Sequence, residues 1–428
     1  QHWMRPASAL LPETPTMPVL RVIGLTGEEL LAANVTQKTL LSEVADSAAA
    51  TLGVARCFLV AGSRVLNLGA GSTVGAASLA SGQPITAVAT RPPLSVFASK
   101  FGRAFAAVKS DGSLVTWGDR QSAGDGSSLR MPLACGVVQV AGTSRAFAAV
   151  KVDGSIVTWD YDQRGGGCVS VPAVLAERVV QVACTYSAFA AVKADGSVIT
   201  WGDAGCGGDC ASVRASLAEG VVDVAGTSMA FAAVKADGSV VTWGDAQCGG
   251  FCGSMSLARG VVQVAGTSRA FAAVKADGSV ITWGDAQYGA DCGSVHASLA
   301  EGVVQVAGTY SAFAAVKVDG SVVTWGDAGC GGDCASVSAS LAEGIIHVAG
   351  TSMAFAAIKA GGSVVTWGDA QCGGDSGSVR ELLSEGVVQV AGTFAAFAAV
   401  KADDSVVTWG SARSGGDCSI VRGLLTGL

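Results

Sequence analysis

The chain has 428 residues and a formal net charge of −7, with 27 Lys and Arg against 34 Asp and Glu. Residues 1–94 contain six basic and five acidic side chains, so the acidic excess lies in residues 95–428. Proteins that bind duplex nucleic acid present a basic surface, and this composition therefore predicts no nucleic-acid partner. No apolar run approaches the ~18 residues of a membrane-spanning helix, so we expect a soluble protein without a transmembrane segment of its own.

The first 16 residues, "QHWMRPASALLPETPT", are interrupted by three prolines. They lack the long apolar core of a secretory signal and predict an extended leader. Because the chain begins with Gln1, its start is either processed or incomplete, and we expect a protein processed on entry to an organelle such as a plastid. A cytoplasmic protein is the alternative.

Residues 17–90 predict a small α+β domain. The stretch "PVLRVIGLTGEELLAANV" (18–35) indicates two strands around a turn at Thr26-Gly27. Apolar residues at helical spacing in 36–54 predict a helix, 55–68 a further strand and turn, and 83–90 a last strand. This ββαβ…β order resembles the ubiquitin-like β-grasp fold. The segment does not end in a free Gly-Gly, so the resemblance implies a docking domain, followed by a linker at 91–94.

Residues 95–428 consist of repeats. Eight Trp residues recur with a spacing of 42 residues, except for one spacing of 40, and Phe follows the same rhythm. A period of this length indicates eight copies of one small supersecondary unit. The repeated Trp residues are Trp117, Trp159, Trp201, Trp243, Trp283, Trp325, Trp367 and Trp409.

Each unit contains a predicted β-hairpin. In "AFAAVKADGSVVTWGD" (230–245), an Asp-Gly pair separates two β-patterned runs. Asp-Gly is a strong signal for a two-residue turn, which would place Ala232 opposite Trp243 and Val234 opposite Val241. The small Ala would then leave room for the indole, and both largely apolar faces would be buried between neighbouring sheets.

About 42 residues suffice for three or four short strands, the size of one propeller blade. A closed ring of blades buries both faces of every sheet and leaves no long exposed edge, whereas an open β-solenoid would need distinct capping repeats. We therefore expect a closed ring, with an early segment such as 95–101 completing the last blade.

Units of the form "VVQVAGTxxAFAAVKADGSVVTWGD" resemble the repeats of the RCC1-like (regulator of chromosome condensation) β-propeller superfamily. The resemblance covers 95–428 and implies a mainly β fold. The units are shorter than the family's usual form, and "CGGD" (206–209) replaces the family's "GQLG". Because that family typically closes seven blades, seven or eight blades are expected here. These departures prevent the transfer of nucleotide-exchange or photoreceptor functions.

Three of the loops that follow a repeated Trp contain CxxxC pairs, which predict either small apolar filler or disulfides. Zinc would need four converging ligands, and the repeats contain only two His residues, His296 and His347. We expect no metal, no cofactor and no catalytic group. The candidate disulfide-forming residues are Cys206, Cys210, Cys248, Cys252, Cys330 and Cys334.

The positions just before each repeated Phe vary, although their surroundings hardly change. Side chains held at one end of a rigid scaffold commonly bind partners, and drift at exposed positions is the alternative explanation. The candidate partner-binding residues are Arg103, Arg145, Tyr186, Met229, Arg269, Tyr310, Met353 and Phe394.

Together these patterns predict a non-enzymatic protein-interaction scaffold, an adaptor or accessory subunit of a larger organellar or membrane-associated assembly. The alternative is a lectin-like propeller that binds small ligands or glycans in repeated sites between blades. The expected partners are other proteins, which under the first hypothesis are subunits of a larger complex.

Overall fold

We analysed a computed structural model of the chain. It describes residues 94–109, 112–122, 136–160, 178–250 and 259–425, together with the backbone of five strands nearer the N-terminus. The chain divides into two compact units, Gln1–Pro92 and Pro93–Leu428. None of the helices in the described residues has the length and hydropathy needed to span a bilayer.

The first unit contains one mixed sheet. Its strands lie in the order β2-β1-β5-β3-β4, with β1 and β5 parallel and the other pairs antiparallel. The strands predicted within 18–35, 55–68 and 83–90 are present, whereas the helix predicted for 36–54 lies outside the described residues. The strands are β1 (Val19–Ile23), β2 (Glu29–Asn34), β3 (Arg56–Ala61), β4 (Arg64–Val65) and β5 (Ile85–Thr90).

In its described residues the second unit contains eight three-stranded antiparallel sheets, which we call blades 1 to 8 in chain order. In each blade the first and third strands flank the second. The first four blades consist of β6 (Ser95–Ala98), β7 (Ala104–Val108) and β8 (Leu114–Gly118); β9 (Val137–Gly142), β10 (Ala146–Lys151) and β11 (Ile156–Asp160); β12 (Val179–Cys184), β13 (Ala188–Lys193) and β14 (Val198–Gly202); and β15 (Val221–Gly226), β16 (Ala230–Lys235) and β17 (Val240–Gly244).

The second half of the unit repeats this pattern and ends in a short helix, α1 (Arg422–Leu425). Blades 5 to 8 consist of β18 (Val261–Gly266), β19 (Ala270–Lys275) and β20 (Val280–Gly284); β21 (Val303–Gly308), β22 (Ala312–Lys317) and β23 (Val322–Gly326); β24 (Ile345–Gly350), β25 (Ala354–Lys359) and β26 (Val364–Gly368); and β27 (Val387–Gly392), β28 (Ala396–Lys401) and β29 (Val406–Gly410).

The hairpin is present, but the predicted register is wrong by one residue. Trp243 lies opposite Phe231, and Ala232 lies opposite Thr242. The backbone N–H of Lys235 donates to the carbonyl of Ser239 at 2.8 Å, so three residues rather than two form the loop. A type I′ turn needs positive φ at two positions, whereas in this loop only Gly238 has it, at +75°. The Phe231 and Trp243 rings stack with their centroids 5.2 Å apart.

The space for each indole comes from the neighbouring blade rather than from the same hairpin. Phe231, Trp243 and Ala233 of blade 4 pack against Ala188 and Ala190 of blade 3 in one buried cluster. One face of each second strand is therefore small, and the bulky Phe–Trp face of the next blade fills it. This contact repeats around the unit and forms its core.

The ring closes between blades 8 and 1. Gln389 accepts a hydrogen bond from the N–H of Val96 at 2.9 Å and donates to its carbonyl at 2.8 Å. Trp117 Nε1 of blade 1 donates to the carbonyl of Gly415, beyond blade 8, at 3.0 Å.

The prediction that residues 95–101 complete the last blade is wrong. Strand β6 pairs with β7 inside blade 1, and blade 8 has all three of its own strands. Closure is a side-by-side contact like that between other neighbouring blades. The second unit is accordingly a closed β-propeller with eight blades, the higher of the two predicted counts.

Candidate binding site at one end of the propeller

Two kinds of loop meet at one end of the ring, which we call the loop end. They are the loop between the first and second strands of each blade and the 3-10 turn after the third strand. Thr227 connects them, because its hydroxyl donates to the carbonyl of Cys248 at 3.0 Å and accepts the N–H of Ala230 at 3.1 Å. The equivalent Thr is fully buried in most other described blades. These buried hydrogen bonds therefore hold the loops of the loop end rigidly to the strands of the blades.

A row of seven backbone hydrogen bonds runs around the loop end from blade 2 to blade 1. At the third position before the repeated Phe, each residue from Ser144 to Phe394 donates its N–H to the carbonyl of its equivalent in the next blade, at 2.7 to 3.1 Å, whereas the N–H of Gly102 donates to the carbonyl of Ser99. The last bond, from Phe394 to Gly102, joins blade 8 to blade 1. The row passes through Ser144, Tyr186, Ser228, Ser268, Tyr310, Ser352, Phe394 and Gly102.

The candidate partner-binding residues occupy the second and third positions before the repeated Phe. Five of them line a single cavity: Tyr186, Met229, Arg269, Tyr310 and Phe394.

The other three lie around that cavity. The guanidinium of Arg103 lies 5.1 Å from the centre of the Phe394 ring. Arg145 is exposed, and Met353 is partly buried against the core. The variable positions therefore share one end of the ring but differ in how far they reach solvent.

The cavity has a volume of about 290 Å³. Blade 1 contributes Lys100 and Phe101 to its wall, and Ser228, Ser268 and Cys206 complete the described lining. Sequence reasoning missed Lys100 and Phe101. The signal in the sequence was that "SKFGRAF" (99–105) in blade 1 differs from the equivalent "AGTSRAF" (141–147) in blade 2.

Lys100 spans the propeller axis. Its ammonium donates to the carbonyl of Gly266 and lies 3.4 Å from the carbonyl oxygens of Gly308 and Thr309. These residues belong to blades 5 and 6, across the ring from blade 1. The equivalent position is Gly in six other units, and a Cβ at Gly308 would lie only 2.5 Å from the Gly266 carbonyl oxygen.

The surroundings of Lys100 perturb two titratable groups. Burial lowers the pKa of Lys100 to about 7, against a weak opposing effect from Cys184. Burial also raises the pKa of Cys184 to about 11, and its thiol donates to the carbonyl of Gly142 at 2.9 Å. The thiol is therefore neutral near pH 7, and the carbonyl oxygens provide the negative ends of dipoles that face the ammonium.

The candidate disulfide-forming cysteines are free thiols in the described loops. Cys206, Cys248 and Cys330 are buried, and burial raises the pKa of each thiol. Their N–H groups are bound by the carboxylate that begins each 3-10 turn, for example Cys206 by Asp203 at 3.2 Å.

Cys210 is a buried free thiol, Cys334 is partly buried, and Cys252 lies outside the described residues. Disulfide formation stays a prediction. Within the described part of the chain, no group of three or more His, Cys, Asp or Glu residues could hold a metal ion.

No family model and no curated protein matches the sequence. Among solved structures, the chain is similar to the ectodomain of the Physcomitrella patens receptor kinase CR4, with 12% identity, a TM-score of 0.45, and coverage of 65% of this chain and 74% of that chain. It is similar to human WBSCR16, with 16% identity, a TM-score of 0.43, and coverage of 62% and 87%. For Prp20p from Saccharomyces cerevisiae the values are 17%, 0.39, 63% and 80%. These are likenesses in fold, and the eight blades rest on the strand pairing described above.

Proposed function

We propose that this protein is a non-enzymatic protein-interaction scaffold that binds its partner with the loop end of the propeller. One observation carries the proposal. The repeats are nearly constant, whereas the bulky side chains that vary just before the repeated Phe are gathered at one end of the ring.

The chemistry of these side chains supports a protein partner. Tyr186 is 48% exposed, Tyr310 43% and Met229 36%, although all three stand on loops fixed by buried threonines and backbone hydrogen bonds. Tyr, Met and Arg are enriched in protein interfaces, and tyrosine contributes large contact area for little loss of conformational entropy. Because these loops are already fixed in the free protein, binding orders little additional backbone, and its entropic cost is low.

We extend the proposal to the first unit, which we interpret as a ubiquitin-like docking domain. Its first and last strands pair in parallel at the centre of the sheet, and each edge is completed by an antiparallel neighbour. Parallel pairing requires a crossover connection, and residues 36–54 are long enough to supply the predicted helix. With two binding units, the chain would serve as an adaptor or accessory subunit of a larger assembly in an organelle or in the cytoplasm.

The lectin-like alternative takes second place. Its repeated sites would lie near the Gly-Cys loops between blades, and in the described loops this space is packed. Trp243 Nε1 donates to the carbonyl of Gly207 at 3.0 Å, and Trp367 Nε1 to that of Gly331 at 3.0 Å. A Cβ added to Gly207 would lie 2.8 Å from the ring of Phe231.

Affinity capture with matched variants tests the proposal. The loop-end variant combines Tyr186→Ser, Arg269→Met and Tyr310→Ser, and each new residue is the one that another blade carries at the same position. The control combines Val152→Ala and Val318→Ala, which are 62% and 78% exposed at hairpin loops where other blades have Ala. We expect partners in stoichiometric amounts with the wild-type and control chains and their loss from the loop-end variant. Retention of the same partners by the loop-end variant would contradict the assignment of the surface.

A further inference from the structure

The cavity at the loop end has an unusual wall. Four aromatic side chains from four different blades face it: Phe101 of blade 1, Tyr186 of blade 3, Tyr310 of blade 6 and Phe394 of blade 8. Phe101 and Tyr186 touch edge to face, with centroids 6.4 Å apart. These residues are far apart in sequence, and only closure of the ring brings them together around one space.

The aromatic wall arises because the eightfold pattern is broken. Where Tyr186, Tyr310 and Phe394 stand, four other blades have Ser and blade 1 has Gly102. The serine hydroxyls form hydrogen bonds with the neighbouring loops. Ser228 Oγ, for example, donates to the carbonyl of Ser268 at 2.6 Å. Serines therefore add little apolar surface, and the three aromatic side chains supply most of what a ligand would touch.

The charged groups in the wall are both basic. Of the lining residues that the structure describes, Lys100 and Arg269 are charged and none is acidic. The guanidinium of Arg269 lies 5.0 Å from the centre of the Tyr288 ring, and its side chain is 41% exposed. Its contact with Asp285 is long, at 3.9 Å. An arginine has five N–H donors in a planar fork, so donors remain for a ligand.

The size of the cavity limits what it holds. Sites for drug-sized molecules range from roughly 300 to 1,000 Å³, so a cavity of about 290 Å³ takes one ring system rather than an extended ligand. Aromatic walls favour a flat apolar group by stacking and edge contacts. Among the described lining residues, two basic side chains and no acidic one favour an anion and disfavour an ammonium group, most strongly below pH 7, where Lys100 is protonated.

We propose that this cavity binds an aromatic group that bears a carboxylate. The ring lies among Tyr186, Tyr310 and Phe394, and the carboxylate faces Arg269 and Lys100. Such a group exists as a free aromatic acid and as the C-terminal aromatic residue of a peptide. The inference goes beyond the proposed scaffold function, because it assigns a site for one chemical group whether or not a folded protein covers the loop end.

The neighbours of Lys100 make this binding sensitive to pH. The groups that face its ammonium are the carbonyls of Gly266, Gly308 and Thr309, the Phe101 ring and the neutral Cys184 thiol. A bound carboxylate is then the nearest full negative charge, and it stabilises the protonated amine. Binding is therefore accompanied by proton uptake, and affinity falls as the pH rises above 7.

The test is the equilibrium binding of 1-naphthoate to the purified full chain, measured by titration calorimetry. The neutral amide and 1-naphthylmethylamine serve as ligands of the same shape without the negative charge. We expect naphthoate to bind at least about tenfold more tightly than the amide, as for a charge-assisted hydrogen bond, and the amine to bind most weakly. Naphthoate should also bind more weakly at pH 8.5 than at pH 6.5.

Three variants locate the site. Arg269→Met should abolish the preference for naphthoate over the amide, and Tyr310→Ser should lower the affinity for both ligands. Arg145→Met is the matched control: it makes the same change at an exposed arginine that does not line the cavity. Equal affinity for naphthoate and the amide, no binding at millimolar concentration, or equal losses in the Arg145 and Arg269 variants would each overturn the proposal.

A second arm distinguishes the two sources of the group. A short peptide ending in Phe is compared as the free acid and as the C-terminal amide. Preference for the free-acid peptide over both its amide and naphthoate identifies a chain end, and preference for naphthoate identifies a free acid. Both outcomes support the site. If naphthoate binds and affinity capture yields no loop-end partner, the scaffold proposal fails and the site stands.

Discussion

The Trp of each blade is predicted to stabilise the contact with the preceding blade, and Trp325→Phe measures this contribution. Trp325 is 3% exposed, its ring stacks on Phe313 at 5.2 Å, and Nε1 donates to the carbonyl of Gly289 in the preceding loop at 2.9 Å. The substitution keeps a ring beside Phe313 but removes the donor and the extra ring atoms.

Two effects add. Leaving a buried carbonyl without its donor costs about 1–3 kcal/mol. Losing two buried ring carbons costs roughly 1.5 kcal/mol at about 0.8 kcal/mol per carbon group. The expected decrease in the free energy of unfolding is therefore about 3 kcal/mol, a large fraction of the total for a typical domain.

Urea unfolding followed by circular dichroism provides the assay, with Val318→Ala as an exposed control. The control should shift the midpoint little, because its side chain is 78% exposed. A decrease below about 0.5 kcal/mol for Trp325→Phe, or one equal to that of the control, would refute the assignment of the indole to the blade interface.

Further predictions concern glycine, aspartate and lysine positions. Gly308→Ala should destabilise the propeller by at least about 1–3 kcal/mol, as overpacking does, whereas Gly361→Ala, with open space around it, should not; similar melting temperatures would contradict this. The hydrogen bonds from Ser279 lower the pKa of Asp277 to about 2. That carboxylate therefore contributes stability above the unfolded pKa of about 4, which is lost as the pH falls towards 2, and Asp277→Ala should flatten this slope in unfolding midpoints between pH 4 and 2. For Lys100, a folded pKa near 7 lies below the unfolded value of about 10.4, so stability should rise with pH between 7 and 10. Lys100→Met should remove that rise in thermal melts, and an unchanged slope would show that Lys100 does not cause it.

Part of the candidate site could be predicted from sequence, because variation on a constant repeat marks positions that the frame does not need. Tyr186, Met229, Arg269, Tyr310 and Phe394 were found in this way, and all five line the cavity. Lys100 and Phe101 were missed for the opposite reason. They lie where blade 1 alone departs from the repeat, at positions that are nearly constant Gly and Thr in the other blades, so a search for positions that vary from blade to blade passed over them.

The hairpin register shows a second limit. Asp-Gly predicts a hairpin, but a loop of two residues and one of three place different residues opposite each other. The loop observed here is the longer one, and in it Asp237 accepts the N–H and the hydroxyl of Ser239 at 3.0 and 2.6 Å. These side-chain hydrogen bonds accompany the longer loop and its register, and the pattern of apolar residues carries no information about them.

By itself, the sequence determined the repeat, its hairpin, the buried Trp and the choice of a stacked arrangement of sheets. These properties are local: they follow from a period of about 42 residues and from apolar alternation within each unit. The tertiary structure alone decided that the ring closes at eight blades, that Ala of one blade receives the indole of the next, and that Lys100 reaches across the axis. Those outcomes depend on packing between different blades, and periodicity within a unit carries no information about them.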